Sequence, residues 1–489
     1  MPQRRARITD SVAQSELAQS LAALRVSLKL PTEYPADATA EAAATHAPAP
    51  APSVDLTHVP FVTIDPTGSR DLDQAMHLSR TGDGFLVRYA IADVPGWVRA
   101  DGAIDVETRA RGLTRYAPDG VIPLHPAVLT NDRVSLLPGG RRSAFVWEFT
   151  LDPAGNVTAT TLTRAWVESI AKLDYQTAQR IVDGDASVEV GEDAAATVRL
   201  LPAIGVLRVA LEQERGGASL NSPDEEIVAD PHGGYSINRR APLPVENWNA
   251  QLSLMTGMEA ARLMLSARVG VLRTMPAPEQ RQLAQFRHRT VAFGLPWPTD
   301  MPYGEYLRTL DPTDSRALAV LQAATTLFRG AGYTTFAGET PVNPIQAAVA
   351  APYAHVTAPL RRLVDRWGLV ICEAIANSRP VPAWALDSLA AVPELMRAAT
   401  TASSRLDAEA LNRVEAALLA SRIGETFDAV LIAVEHTRGT VQIAEPPVTA
   451  SCNVAADAAP GTQLRVRVEA SDIGTGEIVL SLAAESTSR

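Results

Sequence analysis

At 489 residues the chain exceeds the ~250–300 at which one hydrophobic core stops growing, so two or three domains are expected. Hydrophobic residues make up 46% and charged residues 20%; no apolar run follows Met1-Pro2-Gln3-Arg4-Arg5 and no uncharged stretch of ~18 apolar residues appears, which argues against a signal peptide and a membrane span. The formal net charge of −11 argues against a uniformly basic surface but not against a basic cleft: Lys29 and Lys172 are the lysines, and the remaining cations are arginines, whose planar fork suits phosphate.

In chain order, residues 8–28 place Ile8, Leu17, Leu21, Leu24, Val26 and Leu28 at roughly helical spacing, with Thr9 or Asp10 as N-cap. Pro31, Pro35 and the Ala/Pro-rich run 36–52 read as a linker. A strand is expected at 60–64, then a loop, then a buried strand at 85–91 rich in β-branched and aromatic residues. A strand pair follows at 144–150 and 157–162, turning at Asp152-Pro153-Ala154-Gly155. Helical periodicity covers 173–215, 245–272, 304–330, 358–378 and 383–423. Beyond Gly424 the texture changes to short alternating strands at 427–435, 440–443, 464–469 and 477–482, which suits a small β-barrel. Cys372 and Cys452 form no CxxC, so neither a disulfide framework nor a cysteine zinc site is expected, and a cytoplasmic location follows.

The most informative segment is Thr63-Ile64-Asp65-Pro66-Thr67-Gly68-Ser69-Arg70-Asp71-Leu72-Asp73-Gln74-Ala75. A loop at a strand end can aim several carboxylates at one point, and hard cations such as Mg²⁺ take oxygen ligands. Asp71 and Asp73 are two apart and would share a side in extended backbone. Most Asp-rich loops are merely solvated turns, but no EF-hand, P-loop, HExxH motif or nucleophile elbow elsewhere competes with this one.

This segment resembles the active-site signature of the RNase II/RNase R (RNB) family, T-I-D-x-x-x-x-x-D-x-D-D-A. Further blocks extend the likeness: Val87–Val94; Arg111-Gly112-Leu113-Thr114-Arg115-Tyr116-Ala117-Pro118 with Val121-Ile122-Pro123-Leu124; Leu129-Thr130-Asn131 with Ser135-Leu136-Leu137; and Tyr353-Ala354-His355-Val356-Thr357-Ala358-Pro359-Leu360-Arg361-Arg362 with Asp365. After Phe427 the chain is similar to an S1-type OB-fold, so the resemblance spans about 53–489. It implies an α+β fold in three parts. These are an N-terminal helical arm and linker (1–52), a large catalytic domain with a mixed β-sheet flanked by helices (53–424), and an S1-like barrel (425–489).

The resemblance implies a 3′-to-5′ exoribonuclease that hydrolyses single-stranded RNA to nucleoside 5′-monophosphates, a monomer with RNA-degradation partners conceivable. In the family's two-metal scheme Asp65, Asp71 and Asp73 hold Mg²⁺ (or Mn²⁺) against the scissile phosphate. Gln74, standing where the family has a fourth aspartate, is a neutral and weaker ligand. Asp73 and Arg361 carry the chemistry, Arg361 by neutralising charge on the phosphoryl oxygens. Tyr116 matches the aromatic that stacks on bases near the 3′ end, and Arg111, Arg115, His355, Arg362, Arg438, Arg465 and Arg467 are expected to contact RNA. Asp93 is expected to be structural.

Several departures bear on activity. Gly217-Ala218-Ser219-Leu220-Asn221-Ser222 lacks the aromatic that forms the family's second base-clamping jaw, and Ala250-Gln251 replaces a Glu-Glu pair. The ~53 residues before the signature are too few for the family's paired cold-shock domains. The family's late acidic residue falls near Asp407 or Glu409. A catalytically weakened RNA-binding protein serving a degradative assembly is therefore the rival expectation; a DNA-directed nuclease is a third.

Overall fold

The computed structural model describes residues 4–7, 11–31, 33–43, 47, 49–220, 224–229, 235–312 and 314–483. The N-cap expected at Thr9 or Asp10 lies outside them.

The body of the chain is built on a six-stranded mixed sheet in the order Val54–Asp55, Val157–Leu173, Phe61–Ile64, Gln74–Thr81, Gly84–Ala92, Arg141–Leu151. Val157–Leu173 runs far enough to pair antiparallel with Arg141–Leu151 in its first part and parallel with Phe61–Ile64 in its last, so the ladder returns on itself. Side chains alternate between two cores, as a period of two requires. Met76, Leu78, Tyr89, Ile91, Trp147 and Phe149 face one core, shared with helices Glu192–Glu214, Pro244–Ala267 and Val364–Ala376. Ala75, Ala90, Ala92, Ala144 and Val146 face the other, with Ile104, Leu129 and Leu136. Truncating the fully buried Trp147 to alanine is expected to cost about 3–5 kcal/mol. Gly257 lets helix Pro244–Ala267 approach the segment before Arg361: a Cβ there would lie 2.1 Å from the Tyr353 ring.

Three expectations change. The loop after the aspartates is short, because Gln74–Thr81 is itself a strand paired with Gly84–Ala92. The helix expected through 272 ends at Ala267, where Arg268 takes a left-handed conformation (φ 55°), and Val269–Thr274 becomes a strand paired with Gly332–Ala337. The β-branched and glycine content of Val269-Gly270-Val271 disfavours helix. The 36–52 linker is partly ordered: Ala36–Ala42 is a helix, and the Glu41 carboxylate accepts from the Ala103 amide (2.6 Å) at the start of helix Ala103–Arg111.

Helix Glu192–Glu214 is long and apolar enough, by length and composition, to cross a membrane, but 44% of its apolar window is buried and Arg208 on it donates to the Gly155 carbonyl (2.9 Å). It is a core helix. The C-terminal strands, with an unanticipated one at Val448–Asn453, form a closed five-stranded barrel. The barrel packs on helix Val392–Ala420 and on the N-terminal helix Ser11–Ser27 in one continuous core.

Candidate active site

The signature loop leaves strand Phe61–Ile64 and is braced at each step. The Asp65 amide donates to Leu173 O (3.1 Å), the Leu72 amide to Ser135 Oγ (2.9 Å), and Ser135 Oγ to the Arg70 carbonyl (2.5 Å). Lys172 Nζ donates to the Ser69 carbonyl. These contacts fix the loop backbone from which the three carboxylates project.

Asp73 is 4% exposed. Its Oδ1 accepts the Leu360 amide (2.7 Å), its Oδ2 lies 3.7 Å from Arg361 Nε, and its carbonyl accepts the Ala92 amide (2.9 Å). Burial pushes the Asp73 carboxyl well above its ordinary range, although Arg361 and the Leu360 amide pull it back. Arg361 leaves 48% of its side chain exposed, so the guanidinium has a buried carboxylate on one side and open space on the other.

Asp65 is raised by burial and by the Asp71 charge, against the Ser69 hydroxyl, Arg361 and Lys172. Asp71 Oδ2 accepts the Tyr116 hydroxyl (3.1 Å). Tyr116 as a residue is 53% exposed, while desolvation of its hydroxyl and the Asp71 charge push its pKa up. An aromatic face is therefore presented beside the carboxylates.

Asp65 senses the Asp71 charge, Asp73 accepts the Leu360 amide, and the Arg361 guanidinium acts on both Asp65 and Asp73. Among the described residues no three His, Cys, Asp or Glu side chains gather as a ready ion cage. The residues still fit a hard divalent cation. Asp73 is a buried carboxylate and Asp65 a partly buried one, desolvation raises both, and Mg²⁺ commonly takes one or two carboxylates and completes its shell with water and substrate phosphate.

Gln74 plays a part that an aspartate could not. Its Nε2 donates to the Thr357 carbonyl (2.5 Å), an acceptor-only group, tying the signature to the Tyr353–Arg362 segment.

Two arginines expected to touch RNA do not face it. Arg111 is fully buried, with donors spent on Glu107 Oε1 (2.8 Å), Pro123 O (3.1 Å) and Glu33 O (2.6 Å). Arg115 is buried and donates to Arg111 O (3.0 Å), with the Asp407 charge nearby. Arg362 is engaged with both Asp365 oxygens (2.8 and 2.9 Å), a brace under Arg361. His355 Nδ1 lies 2.8 Å from the Tyr333 hydroxyl; burial, then Arg362, Arg273 and Arg361, hold its pKa well below the ordinary imidazole value. On the barrel, Arg438, Arg465 and Arg467 are exposed. Asp93, fully buried, caps helix Val94–Trp97 and pairs with Arg164 (2.6 Å), as a structural residue does.

Three further residues were not anticipated, two of them beside the carboxylate loop. Tyr175 follows the strand beside Asp65, and burial and the Asp65 charge raise its pKa. Lys172, one of the two lysines, pairs in register with Thr63. Glu212 is buried where the Glu-Glu pair is lost, accepting from Gln251 Nε2 (2.5 Å) and Ser219 Oγ (3.1 Å). Of the clamp segment, Leu220 packs near Phe286 and Trp297; Asn221 and Ser222 lie outside the described residues. On the late helix, Glu409 is engaged by Arg405 (2.7 Å).

Two family models match the chain: an RNB domain over residues 53–371, and an RNase II-type exonuclease C-terminal S1 domain over 425–483. Ribonuclease R of Escherichia coli is 30% identical over 327 residues, 64% of this chain and 39% of that protein. Exoribonuclease 2 of Edwardsiella piscicida is 34% identical over 219 residues, 44% of this chain and 34% of the relative. The chain thus spans roughly a third to two-fifths of these relatives' lengths. Among solved structures, Mycoplasma genitalium RNase R in complex with ribose-methylated single-stranded RNA superposes with a TM-score of 0.86, at 19% identity, over 96% of this chain and 78% of that one. Yeast Ssd1, described as a pseudonuclease, superposes with a TM-score of 0.71 at 15% identity, over 97% and 58%.

Proposed function

This chain belongs to the RNB family, and on that premise we propose that it is a metal-dependent 3′-to-5′ exoribonuclease acting on single-stranded RNA and releasing nucleoside 5′-monophosphates. The observation that carries the reading is the buried Asp73 carboxylate, held by the Leu360 amide with the half-exposed Arg361 beside it. A negative group that the fold has not fully compensated, next to an arginine with free space, suits a phosphodiester approaching with a divalent ion.

In this reading Asp65, Asp71 and Asp73 would hold Mg²⁺ or Mn²⁺, which supplies a water acidified enough to attack and offsets charge on the phosphate. Arg361 donates to the phosphoryl oxygens, where negative charge grows in the transition state. Tyr116 stacks on a base near the 3′ end, and its hydrogen bond to Asp71 keeps ring and carboxylate in register. The chain acts as a cytoplasmic monomer.

One observation favours the rival, an RNA-binding protein without hydrolysis. Gln74 stands where the signature has an acid, and its amide is engaged by Thr357. Incubating the full chain with 5′-labelled single-stranded RNA, with Mg²⁺ or Mn²⁺ and then EDTA, tests the choice. Progressive shortening with mononucleotide release, stopped by EDTA, supports the enzyme. Tight binding without shortening at any metal concentration supports the rival.

A further inference from the structure

The N-terminal helix Ser11–Ser27 joins parts of the molecule that its sequence gave no reason to connect. Leu17, Leu21 and Leu24 are buried against Leu406, Ala410 and Val414 of the long C-terminal helix and against the barrel. The Ser20 hydroxyl lies 2.9 Å from the Ile473 carbonyl and 3.2 Å from that of Gly474, both in a barrel turn, and accepts from Arg413 Nε (3.1 Å). That end of the helix is fixed to the barrel.

At the other end, Arg25 Nη2 donates to Asp119 Oδ1 (2.7 Å) and the Gly120 carbonyl (3.2 Å). Asp119, with Pro118, forms the turn of the hairpin Arg115–Ala117 and Gly120–Ile122, which carries Tyr116, and Gly120 is the first strand residue after it. The hairpin has three residue pairs, and Tyr116 and its partner Val121 are both exposed. So short a two-stranded ribbon is marginal by itself. Its base is held by the same N-terminal segment: Glu33 O accepts from Arg111, whose guanidinium lies 4.0 Å over the Tyr34 ring, and the Tyr34 hydroxyl donates to the Leu124 carbonyl. The Arg25–Asp119 pair is mostly shielded, with 17% and 19% of the side chains exposed, so water and salt weaken it less than a surface pair.

We propose that Arg25, acting through Asp119 and Gly120, is a positioning residue for Tyr116, so that the N-terminal helix ties the barrel to the stacking aromatic of the active site. The proposal rests on the reading that Tyr116 contacts RNA. With the strap released, the hairpin tip opens locally, and Tyr116 leaves Asp71 for part of the time and stacks on fewer encounters.

The test uses the full chain with Arg25→Ala, Arg25→Lys and Tyr116→Ala, alone and with Arg25→Ala added to Tyr116→Ala. Amide hydrogen exchange is followed across 115–122, and kcat and KM are measured on a short single-stranded RNA. Arg25→Ala is expected to speed exchange in the hairpin about ten-fold. It should raise KM about three- to ten-fold, a fraction of one stacking contact, with kcat within about two-fold. Arg25→Lys should restore most of both, and Arg25→Ala should add nothing to KM once Tyr116 is alanine. Unchanged exchange in Arg25→Ala overturns the strap, as does an equal KM rise in the Tyr116→Ala background. Faster hairpin exchange in a chain that cleaves no RNA keeps the strap and overturns the exoribonuclease reading alone.

Discussion

Charged side chains do different work in the catalytic body and in the barrel. At the active site the Asp73 carboxylate is buried and braced across a great sequence distance by the Leu360 amide, and beside it the neutral Gln74 amide donates to the Thr357 carbonyl. On the barrel charged side chains are exposed and matched loosely, as in Arg465–Asp428 at 3.8 Å with 55% and 89% of the side chains in solvent. Residues 425–483 carry eight acids against three arginines, and the one aromatic there, Phe427, is buried beneath Arg422 (4.3 Å to the ring centroid). An interaction in low dielectric keeps most of its strength, whereas an exposed one is screened within about 10 Å at ordinary salt. Substitutions in the body should therefore alter chemistry steeply, and those in the barrel should alter affinity gently.

The steepest effect is expected at Asp73. Asp73→Asn should abolish hydrolysis and leave the affinity for single-stranded RNA nearly unchanged, measured by product release and by equilibrium binding. The same substitution should raise Tm at neutral pH. A carboxyl whose folded pKa is raised by burial penalises the fold increasingly as pH climbs from its unfolded value (about 4) towards its folded one. Asparagine removes that penalty and keeps an oxygen for the Leu360 amide, so its advantage should shrink as pH falls towards 4. For wild type, hydrolysis should gain from rising pH above the ordinary carboxylate range, because Asp73 must be ionised to act. A variant that stays active contradicts the assignment, and one that melts lower at pH 7 with divalent ions removed by EDTA contradicts the burial penalty on Asp73.

Arg361→Ala comes next, with an expected drop in kcat of about 10²–10³-fold, the range for losing one transition-state donor. Arg361→Lys should recover part of it, since an ammonium cannot reproduce the planar fork. If turnover of the folded Arg361→Ala protein equals wild type, Arg361 only supports Asp73.

What the sequence revealed and what it hid follows the same division. The run Thr63–Ala75 and the block Tyr353–Arg362 were legible because each is a local pattern, and the structure brings Asp73 and Arg361 together. Hidden were features decided by partners far along the chain. Arg111 looked like a phosphate ligand until Glu33, Glu107 and Pro123 were seen to use its donors. Gln74 looked like a depleted ligand, yet the Thr357 carbonyl requires its amide. Val269–Thr274 looked like the end of a helix, yet its local β-branched and glycine content is realised as a strand by pairing with Gly332–Ala337.

Gln74→Asp sharpens the comparison at intermediate size. An added carboxylate should lower the Mg²⁺ or Mn²⁺ concentration for half-maximal rate by a few-fold, roughly the gain of a charged ligand over a neutral one. It also sets an acceptor against the Thr357 carbonyl, so the tether is lost and Tm should fall by about 1–3 kcal/mol worth of stability. Tighter metal use with lower Tm would mean that this chain exchanged metal affinity for a brace. No shift in metal dependence would mean that another group completes the ion's shell.

The smallest effect belongs to the barrel. Arg438, Arg465 and Arg467 are the three arginines among the described barrel residues 425–483 and all are exposed, so neutralising them together removes the arginine contacts of that segment without touching the core. Deleting the barrel is the poorer experiment, because Leu17, Leu21, Leu24, Val414 and Leu418 would lose the core they share with it. For single strands each phosphate contact adds about 0.7 to the slope of log affinity against log salt, so the triple alanine variant should flatten that slope by at most about 2. With eight acids in the same 425–483 segment and no exposed aromatic there to stack bases, the realised loss should be smaller and confined to RNA long enough to reach the barrel. Cleavage of short oligonucleotides should proceed at the wild-type rate. Equal losses on short and long RNA would mean that the barrel arginines act on the catalytic body itself, through the core they share, and the contrast between steep chemistry and gentle grip would fail.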